Sequence, residues 1–400
     1  MKKIMVLGGT RFAIPIIKAA HELGLYVITC DYLPENVAHS YADEYCNVDI
    51  TDKIKVYEEA KKRNISGIIS FACDPGVVTA AYVADKLNLP SCGPYESVEI
   101  LQNKGLFRAF LEKNGFNVPK SKTYTDLYKL KEEFESFTEW PVIIKPTDSA
   151  GSKGVKKANT LKELLENAQF AISFSKKREI IVEEFLQQEG YSSDTDSFSI
   201  DGELVFSSFN SQRFDLNADN KYTPAAYSWP SYYDESVVKE LTEEIQRVIT
   251  LLKMRTSIYN IETRVSNKKP YIMELSPRGG GNRLAECLEY STGIDLIKNA
   301  VRAAVGIEVE PIDNKWTYNG FWAEVIVHSK EDGVFDKIEI SNKISKNIYQ
   351  IDLWVKEGDF IHRFSSANYA IGTIIMKFTD INDLETIMKN IDDYIKVVIK

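Results

Sequence analysis

The chain has 400 residues, enough for two or three domains with cores of their own. With 44% hydrophobic and 27% charged residues, it is neither a disordered, a collagen-like nor a polytopic membrane chain. A formal net charge of -9 argues against a general nucleic-acid binder, yet leaves room for a phosphate ligand held by a few local cations.

In chain order, Met1 to Thr10 lacks the long apolar core of a secretory signal. Ile4 to Leu7 is instead a short apolar run closed by Gly8-Gly9, the pattern of a buried parallel strand. Ile14, Ile17, Ala20 and Leu23 mark one face of a helix, with Pro15 tolerated in its first turn. Tyr26 to Cys30 predicts a second strand, Val56 and Ala60 sit on a charged helix, and Gly67 to Phe71 predicts a third strand. Val77 to Leu87 predicts a helix that stops before Pro90. This βαβαβ order predicts an α/β, doubly wound parallel-sheet domain over residues 1–100.

Residues 101–310 mix patterns. A helix over Leu101 to Glu112 leads to an apolar strand, Pro141 to Ile144, and then to a loop rich in Gly, Ser and Lys. A helix over Leu161 to Ala171 and a strand over Ile180 to Val182, ending in Glu183-Glu184, come next. Phe198 to Ile200 and Leu204 to Phe209 flank Asp201-Gly202, a hairpin signal. Asn210 to Ser231 has little periodicity and reads as a mobile or substrate-contacting loop. The helix over Ser236 to Leu252 precedes paired strands, Tyr259–Val265 and Tyr271–Leu275. Residues 311–400 are strand-rich (Phe321–Val327, Ile348–Val355, Ala370–Phe378). They close on an amphipathic helix with Leu384, Ile387, Met388, Ile391 and Ile395 on one face and Asp380 as N-cap.

The five cysteines have no CxxC spacing and the four histidines are scattered. Neither a disulfide framework nor a Cys/His zinc site is expected. No segment has the apolar length of a membrane span, so a cytoplasmic protein without a membrane partner is expected.

Four segments carry candidate chemistry. Gly8-Gly9-Thr10 can present amides to an anion, with Asp31 where a dinucleotide site keeps its ribose-binding acid; the other reading is a tight strand-to-helix turn. Lys145 ends an apolar strand and precedes a loop with Ser149, Gly151, Ser152 and Gly154, where amides and a fixed cation suit phosphate oxygens; such a loop also serves as a solvated connection. A hairpin centred on Lys268 sets Glu262 directly opposite Glu274. Two carboxylates so placed repel unless a cation such as Mg²⁺, or Arg264 and the nearby lysines, neutralises them. Ser276-Pro277-Arg278-Gly279-Gly280-Gly281 then adds a planar guanidinium suited to phosphate or carboxylate and a backbone open to close approach.

These parts, in this order, resemble the ATP-grasp superfamily of carboxylate–amine ligases over nearly the whole chain. Gly8-Gly9, Cys30-Asp31-Tyr32-Leu33-Pro34, Ala42-Asp43, Asp74-Pro75 and Leu87-Asn88-Leu89-Pro90 look like the pre-ATP-grasp domain. Asn103-Lys104 looks like the Asp-Lys that opens the next domain. The resemblance implies an ATP-grasp domain of two α+β subdomains over 101–310, with a glycine-loop subdomain over 119–185, and a small strand-rich C-terminal α+β domain over 311–400. It implies ATP and Mg²⁺ as cofactors. Lys104, Lys145 and the glycine loop would bind phosphates, and Glu183, Glu184 and Phe185 the adenine. Glu189 would bind the ribose, and Glu262 and Glu274 the metal. Ser276 departs from the Asn that the family often has there, which leaves a third metal ligand open, while Arg278 keeps its place. Arg278 and Lys145 would act in catalysis, with Arg213, Lys221, Tyr222, Arg278 and Gly280 toward small carboxylate and amine substrates. Homodimers are common in the family. The implied reaction is amide formation through an acyl phosphate, with ADP and phosphate as products. An ATP-grasp kinase, a carboxylase or formyltransferase, a non-catalytic nucleotide sensor and an NAD(P)-dependent oxidoreductase built on Gly8-Gly9 and Asp31 are the alternatives.

Overall fold

The computed structural model describes residues 1–149 and 151–400. At the N-terminus four parallel strands lie in the order Glu44–Asn47, Tyr26–Asp31, Lys3–Leu7 and Gly67–Ser70. Ile4 to Leu7 are fully buried between helices, as a central parallel strand requires. Gly67–Ser70 is thus the fourth strand of the chain and not the third. The edge strand Glu44–Asn47 escapes a reading by apolar runs, because only Cys46 of its four residues is buried.

The first glycine turn is filled by the protein itself. The Gly8 amide donates to the Cys30 carbonyl and the Gly9 amide to Asp31 Oδ2, each at 2.9 Å. Asp31 also accepts from the Leu33 amide and the Asn36 side chain. A Cβ on Gly9 would lie 2.3 Å from the His39 ring. Both glycine amides are spent within the protein and Asp31 already accepts three hydrogen bonds, which favours the tight-turn reading over the NAD(P) alternative built on Gly8, Gly9 and Asp31.

The expected helix over Leu101 to Glu112 is two helices, Tyr95–Gln102 and Lys104–Lys113, separated by Asn103 in extended conformation. Helical periodicity runs across the break, which is why the pattern alone conceals it. Asn103 Oδ1 accepts from the Leu106 amide at 2.9 Å, capping the second helix and fixing Lys104 as its first residue.

Two antiparallel sheets carry the middle of the chain. One has the order Ser121–Tyr124, Ile180–Glu184, Val142–Pro146, Lys156–Ala158; the other has Glu203–Ser207, Ser193–Ile200, Ser257–Ser266, Lys269–Ser276. The stretch 210–231 is not a loop throughout. It holds strands Ser211–Phe214 and Pro224–Trp229, which join Phe321–Val327, Gly372–Phe378 and Ile348–Leu353 in a five-stranded antiparallel sheet. Buried Ser211, Gln212 and Ser228 break the apolar alternation that would have shown them. The closing helix is also shorter than expected. Asp380 caps Ile381–Lys389 through the Asn382 and Asp383 amides, but Asn390 interrupts it, and Ile395–Ile399 is a strand against Gly333–Ile340. No helix among the described residues is long and apolar enough to cross a membrane.

Asn103→Ala should lower stability by about 1–2 kcal/mol, the loss of a buried N-cap. Urea unfolding followed by circular dichroism measures it. A midpoint equal to that of the unaltered chain would show that the break is held by something other than the cap.

Candidate active site

The strands Ser257–Ser266 and Lys269–Ser276 are joined by Asn267-Lys268, both at positive φ, a tight two-residue turn. From this turn Ser266 faces Lys269 and Thr263 faces Ile272. A bulge at Met273 then shifts the register, so that Glu262 faces Glu274 and Asn260 faces Ser276. The opposed acids are those expected, although the turn is centred between Asn267 and Lys268 and the bulge makes up the difference. On the other side, Ser193–Ile200 sets Asp194 opposite Glu262 and Asp196 opposite Asn260. One row across the sheet therefore reads Asp194, Glu262, Glu274, and the next reads Asp196, Asn260, Ser276. The two aspartates were not singled out from the sequence. Their signal was the alternation Ser193-Asp194-Thr195-Asp196-Ser197, which on a strand puts both acids on one face.

Cations from three parts of the chain meet these acids. Lys104 Nζ lies 2.7 Å from Glu274 Oε1 and donates to the Ser149 carbonyl at 2.9 Å. Lys145 Nζ lies 2.6 Å from Glu183 Oε2, and Arg108 Nε lies 2.7 Å from the other oxygen of the same carboxylate. Arg108 also donates to the Met273 carbonyl at 2.9 Å, tying this triad to the bulge. Arg264 lies 3.7 Å from Glu262. Arg278 clasps Asp74, at the start of the Asp74–Leu87 helix, through Nε at 2.9 Å and Nη2 at 2.8 Å.

The electrostatics follow from burial and pairing. Burial alone would raise the Glu183 pKa, but Arg108 and then Lys145 outweigh it and hold the carboxyl down at about 2. Burial and the facing Glu274 raise Glu262, whereas Lys104 overcomes burial and lowers Glu274. Asp194 is pushed up to about 7 by burial and by Glu262, and Asp196 to about 7 chiefly by burial. Asp194 is held by neutral Asn260, at 2.8 Å, and Asp196 by Asn260 and the Gly280 amide, the latter at 2.8 Å.

Lys104, Lys145, Glu183, Glu262, Glu274, Arg278 and Gly280 thus share one linked network, with Asp74, Arg108, Asp194 and Asp196 as members that sequence reasoning missed. Glu183 gives its side chain to the triad, leaving only its backbone for a ligand. Glu184 is exposed beside the Lys120 amide, and the Phe185 ring lies 4.2 Å from Lys157 Nζ. In the loop after Lys145, Gly151, Ser152 and Gly154 have positive φ. Ser152 Oγ donates to the Tyr222 carbonyl at 3.0 Å, and Asn220 donates to the Ser152 carbonyl. Ala150 of this loop lies outside the described residues. Glu189 is exposed and accepts from the Lys268 amide at 3.1 Å, at the hairpin turn. Arg213 turns to Glu385 of the closing helix at 2.7 Å and to Ser228, while Lys221 is exposed next to partly buried Tyr222.

Glu262 and Glu274 fit a hard divalent cation such as Mg²⁺: they are opposed oxygen donors, and Glu262 carries repulsion that a cation would relieve. Among the described residues no group of three or more His, Cys, Asp and Glu is set to hold a metal. A cation held by Glu262 and Glu274 would take its remaining ligands from phosphate and water. Ser276 adds nothing to that set. Its hydroxyl accepts from Gln102 at 2.7 Å and donates to Asp74 at 3.0 Å.

The family model for the ATP-grasp domain matches residues 138–286, which hold the glycine loop, Lys145, Glu183 and both opposed acids. Residues 138–286 are thus similar to an ATP-grasp domain. Among solved structures, the chain is similar to the L-amino acid ligase from Bacillus licheniformis, with a TM-score of 0.81 at 19% identity over 100% of this chain and 99% of that one. It is also similar to phosphoribosylglycinamide synthetase from Anaerococcus prevotii, with a TM-score of 0.75 at 23% identity over 100% of both chains. These likenesses establish the fold, a parallel-sheet N-terminal unit followed by antiparallel α+β units. The carbamoyl phosphate synthase large chain of Thermoanaerobacter pseudethanolicus (strain ATCC 33223 / 39E) is 22% identical over 343 residues, covering 81% of this chain and 30% of that protein. The chain thus spans less than a third of the length of that relative.

Glu183→Gln should destabilise the protein at pH 7 by roughly 3–5 kcal/mol, because Arg108 is left buried without its counter-ion. The folded pKa of Glu183 lies below its ordinary 4.5, so its stabilisation is complete above that value and is lost as pH falls toward 2. Denaturant unfolding at pH 7 and at pH 3.5 should show the gap between variant and parent narrowing in acid. A gap that widens in acid would contradict this assignment.

Proposed function

We propose that this protein is an ATP-dependent carboxylate–amine ligase that works through an acyl phosphate. The observation that carries the reading is the pair of opposed, half-buried carboxylates, Glu262 and Glu274, in the same network as Lys104, Lys145 and Arg278. A redox reaction gives such a set of anion-binding and metal-binding groups no task, whereas phosphoryl transfer between anions needs all of it.

In this reading a carboxylate oxygen of the first substrate attacks the γ-phosphorus of ATP, and the bond to the bridging oxygen breaks to release ADP. The amine nitrogen then attacks the acyl carbon. The carbon–oxygen bond breaks, phosphate leaves with the electron pair, and the amine proton passes to solvent. Mg²⁺ held by Glu262 and Glu274 would neutralise the phosphate oxygens. Lys104 and Lys145 trade part of their pairing with Glu274 and Glu183 for phosphate, which supplies positive charge without bringing in new groups. Arg278 faces the negative charge that accumulates as the acyl phosphate forms. Glu183 and Phe185 offer the adenine their backbone, and the loop of Gly151 and Gly154 covers the phosphates. The substrates are small molecules, one bearing the carboxylate and one the amine.

The test is a screen of amino acids and small carboxylates for ADP release, with hydroxylamine present to trap an acyl phosphate as the hydroxamate. Hydroxamate should form only with Mg·ATP. Glu274→Gln, which removes charge and keeps volume, should lower the rate by several orders of magnitude while leaving the circular dichroism spectrum unchanged. ADP release with a phosphorylated product that resists hydroxylamine would replace the ligase with a kinase. Undiminished release by folded Glu274→Gln would remove the metal assignment.

A further inference from the structure

The Arg278–Asp74 pair joins two units of the fold. Arg278 follows the Lys269–Ser276 strand, whereas Asp74 opens a helix of the N-terminal parallel-sheet unit. The seam between them is tight. The Ala72 amide donates to the Gly279 carbonyl at 3.2 Å, and a Cβ on Gly279 would lie 2.3 Å from the Phe71 ring. Only glycine at 279 lets the turn after Arg278 sit on the Phe71–Asp74 segment. Asp74 is itself held by the Ser276 hydroxyl, and Ser276 by Gln102, next but one to the phosphate candidate Lys104.

The hydrogen bonds of Arg278 can be counted. A guanidinium has five N–H donors. Asp74 takes the side edge, with Nε on one oxygen and Nη2 on the other, and the Gly279 carbonyl takes one donor of Nη1 at 2.9 Å. Two donors remain without a partner among the described residues, one on each terminal nitrogen. A fork of two donors matches the two oxygens of a carboxylate or phosphate. A lone arginine on a flexible stem would spread this fork over many orientations; one clasped on its side edge does not.

We propose that Asp74 is a positioning residue of this site: by clasping the side edge of Arg278, with Ser276 and Gln102 behind it, it aims the terminal edge at the anionic group of the reacting substrate. The inference rests on the ligase reading above and assigns the N-terminal unit a part in the chemistry. Asp74 touches neither substrate nor nucleotide in this scheme and acts wholly through Arg278. The pairing also keeps buried Arg278 from lying uncompensated before substrate arrives.

The experiment uses the full chain and the carboxylate that gives the fastest ADP release in the screen, with hydroxamate formation as the readout. Asp74→Asn keeps the shape and breaks the two-oxygen clasp. Its kcat should fall by about ten- to a hundredfold with KM for ATP within about twofold, and its thermal midpoint should fall as well, because Arg278 loses its counter-ion. Asp74→Glu should recover part of the loss. On an Arg278→Ala background, Asp74→Asn should cause no further fall, because residues that act as one unit are not additive. Ser276→Ala, which removes only the hydroxyl behind Asp74, should show the same pattern at smaller size and serves if Asp74→Asn fails to fold.

Unchanged or faster turnover in folded Asp74→Asn overturns the proposal, the faster case marking Asp74 as a competitor of substrate. So does a further loss in the double variant, or unchanged kcat in Ser276→Ala. If no carboxylate elicits ADP release from the unaltered chain, the ligase reading fails and this inference with it. Release that is indifferent to Asp74 sinks the inference alone.

Discussion

Buried positive charge needs a partner, and the structure meets that need by reaching across the chain. Lys104 opens a helix and meets Glu274 on a strand; Lys145 and Arg108 close on Glu183 from two sides; Arg278 reaches back to Asp74. Each pair joins segments far apart in sequence. A charge without its partner in this interior would cost several kcal/mol, so the pairs select one way of closing the site among those that apolar burial allows. The apolar cores drive the collapse, and the ion pairs specify where the functional side chains end up.

This constraint separates what was legible in the sequence from what was not. The four cations and acids with the strongest local context, Lys145, Glu262, Glu274 and Arg278, were found because each sits beside a strand end, a turn or a glycine run. Of their partners, Lys104 and Glu183 came with the family resemblance, whereas Asp74 and Arg108 were not found. Asp74 begins a helix and Arg108 lies mid-helix with nothing local to mark it, because an ion pair is a long-range fact and sequence spacing reports only near neighbours. Asp194 and Asp196 were within reach of a period-two reading, but the serines and threonine between them gave no apolar stripe to announce a strand. The same blindness to polar burial hid Ser211–Phe214 and Pro224–Trp229. The break at Asn103 and the early stop at Asn390 were hidden by an apolar repeat that continues through both. The opposed pair 262 and 274 came out correctly only because the bulge at Met273 offset a misplaced turn centre, which shows how little a register inferred from a turn can be trusted beyond a few residues.

The resting network also bears on catalysis. The cations proposed to hold phosphate are neutralised by Glu274 and Glu183, so the site waits in a charge-balanced state and need not be rebuilt when an anion enters. What changes is the division of each cation between its acid and the ligand. Glu183 is the firmest of these partners, with two cations on one carboxylate and a pKa near 2, so Lys145 is anchored at all working pH values. Glu274 is paired directly with Lys104, with Lys145 adding a more distant positive charge, and faces the destabilised Glu262, which makes it the more responsive side of the site. A cation between Glu262 and Glu274 would relieve their repulsion and take over the compensation that Lys104 gives Glu274, freeing Lys104 for phosphate. In the proposed reading, metal and nucleotide would therefore be coupled through a single carboxylate, each making room for the other.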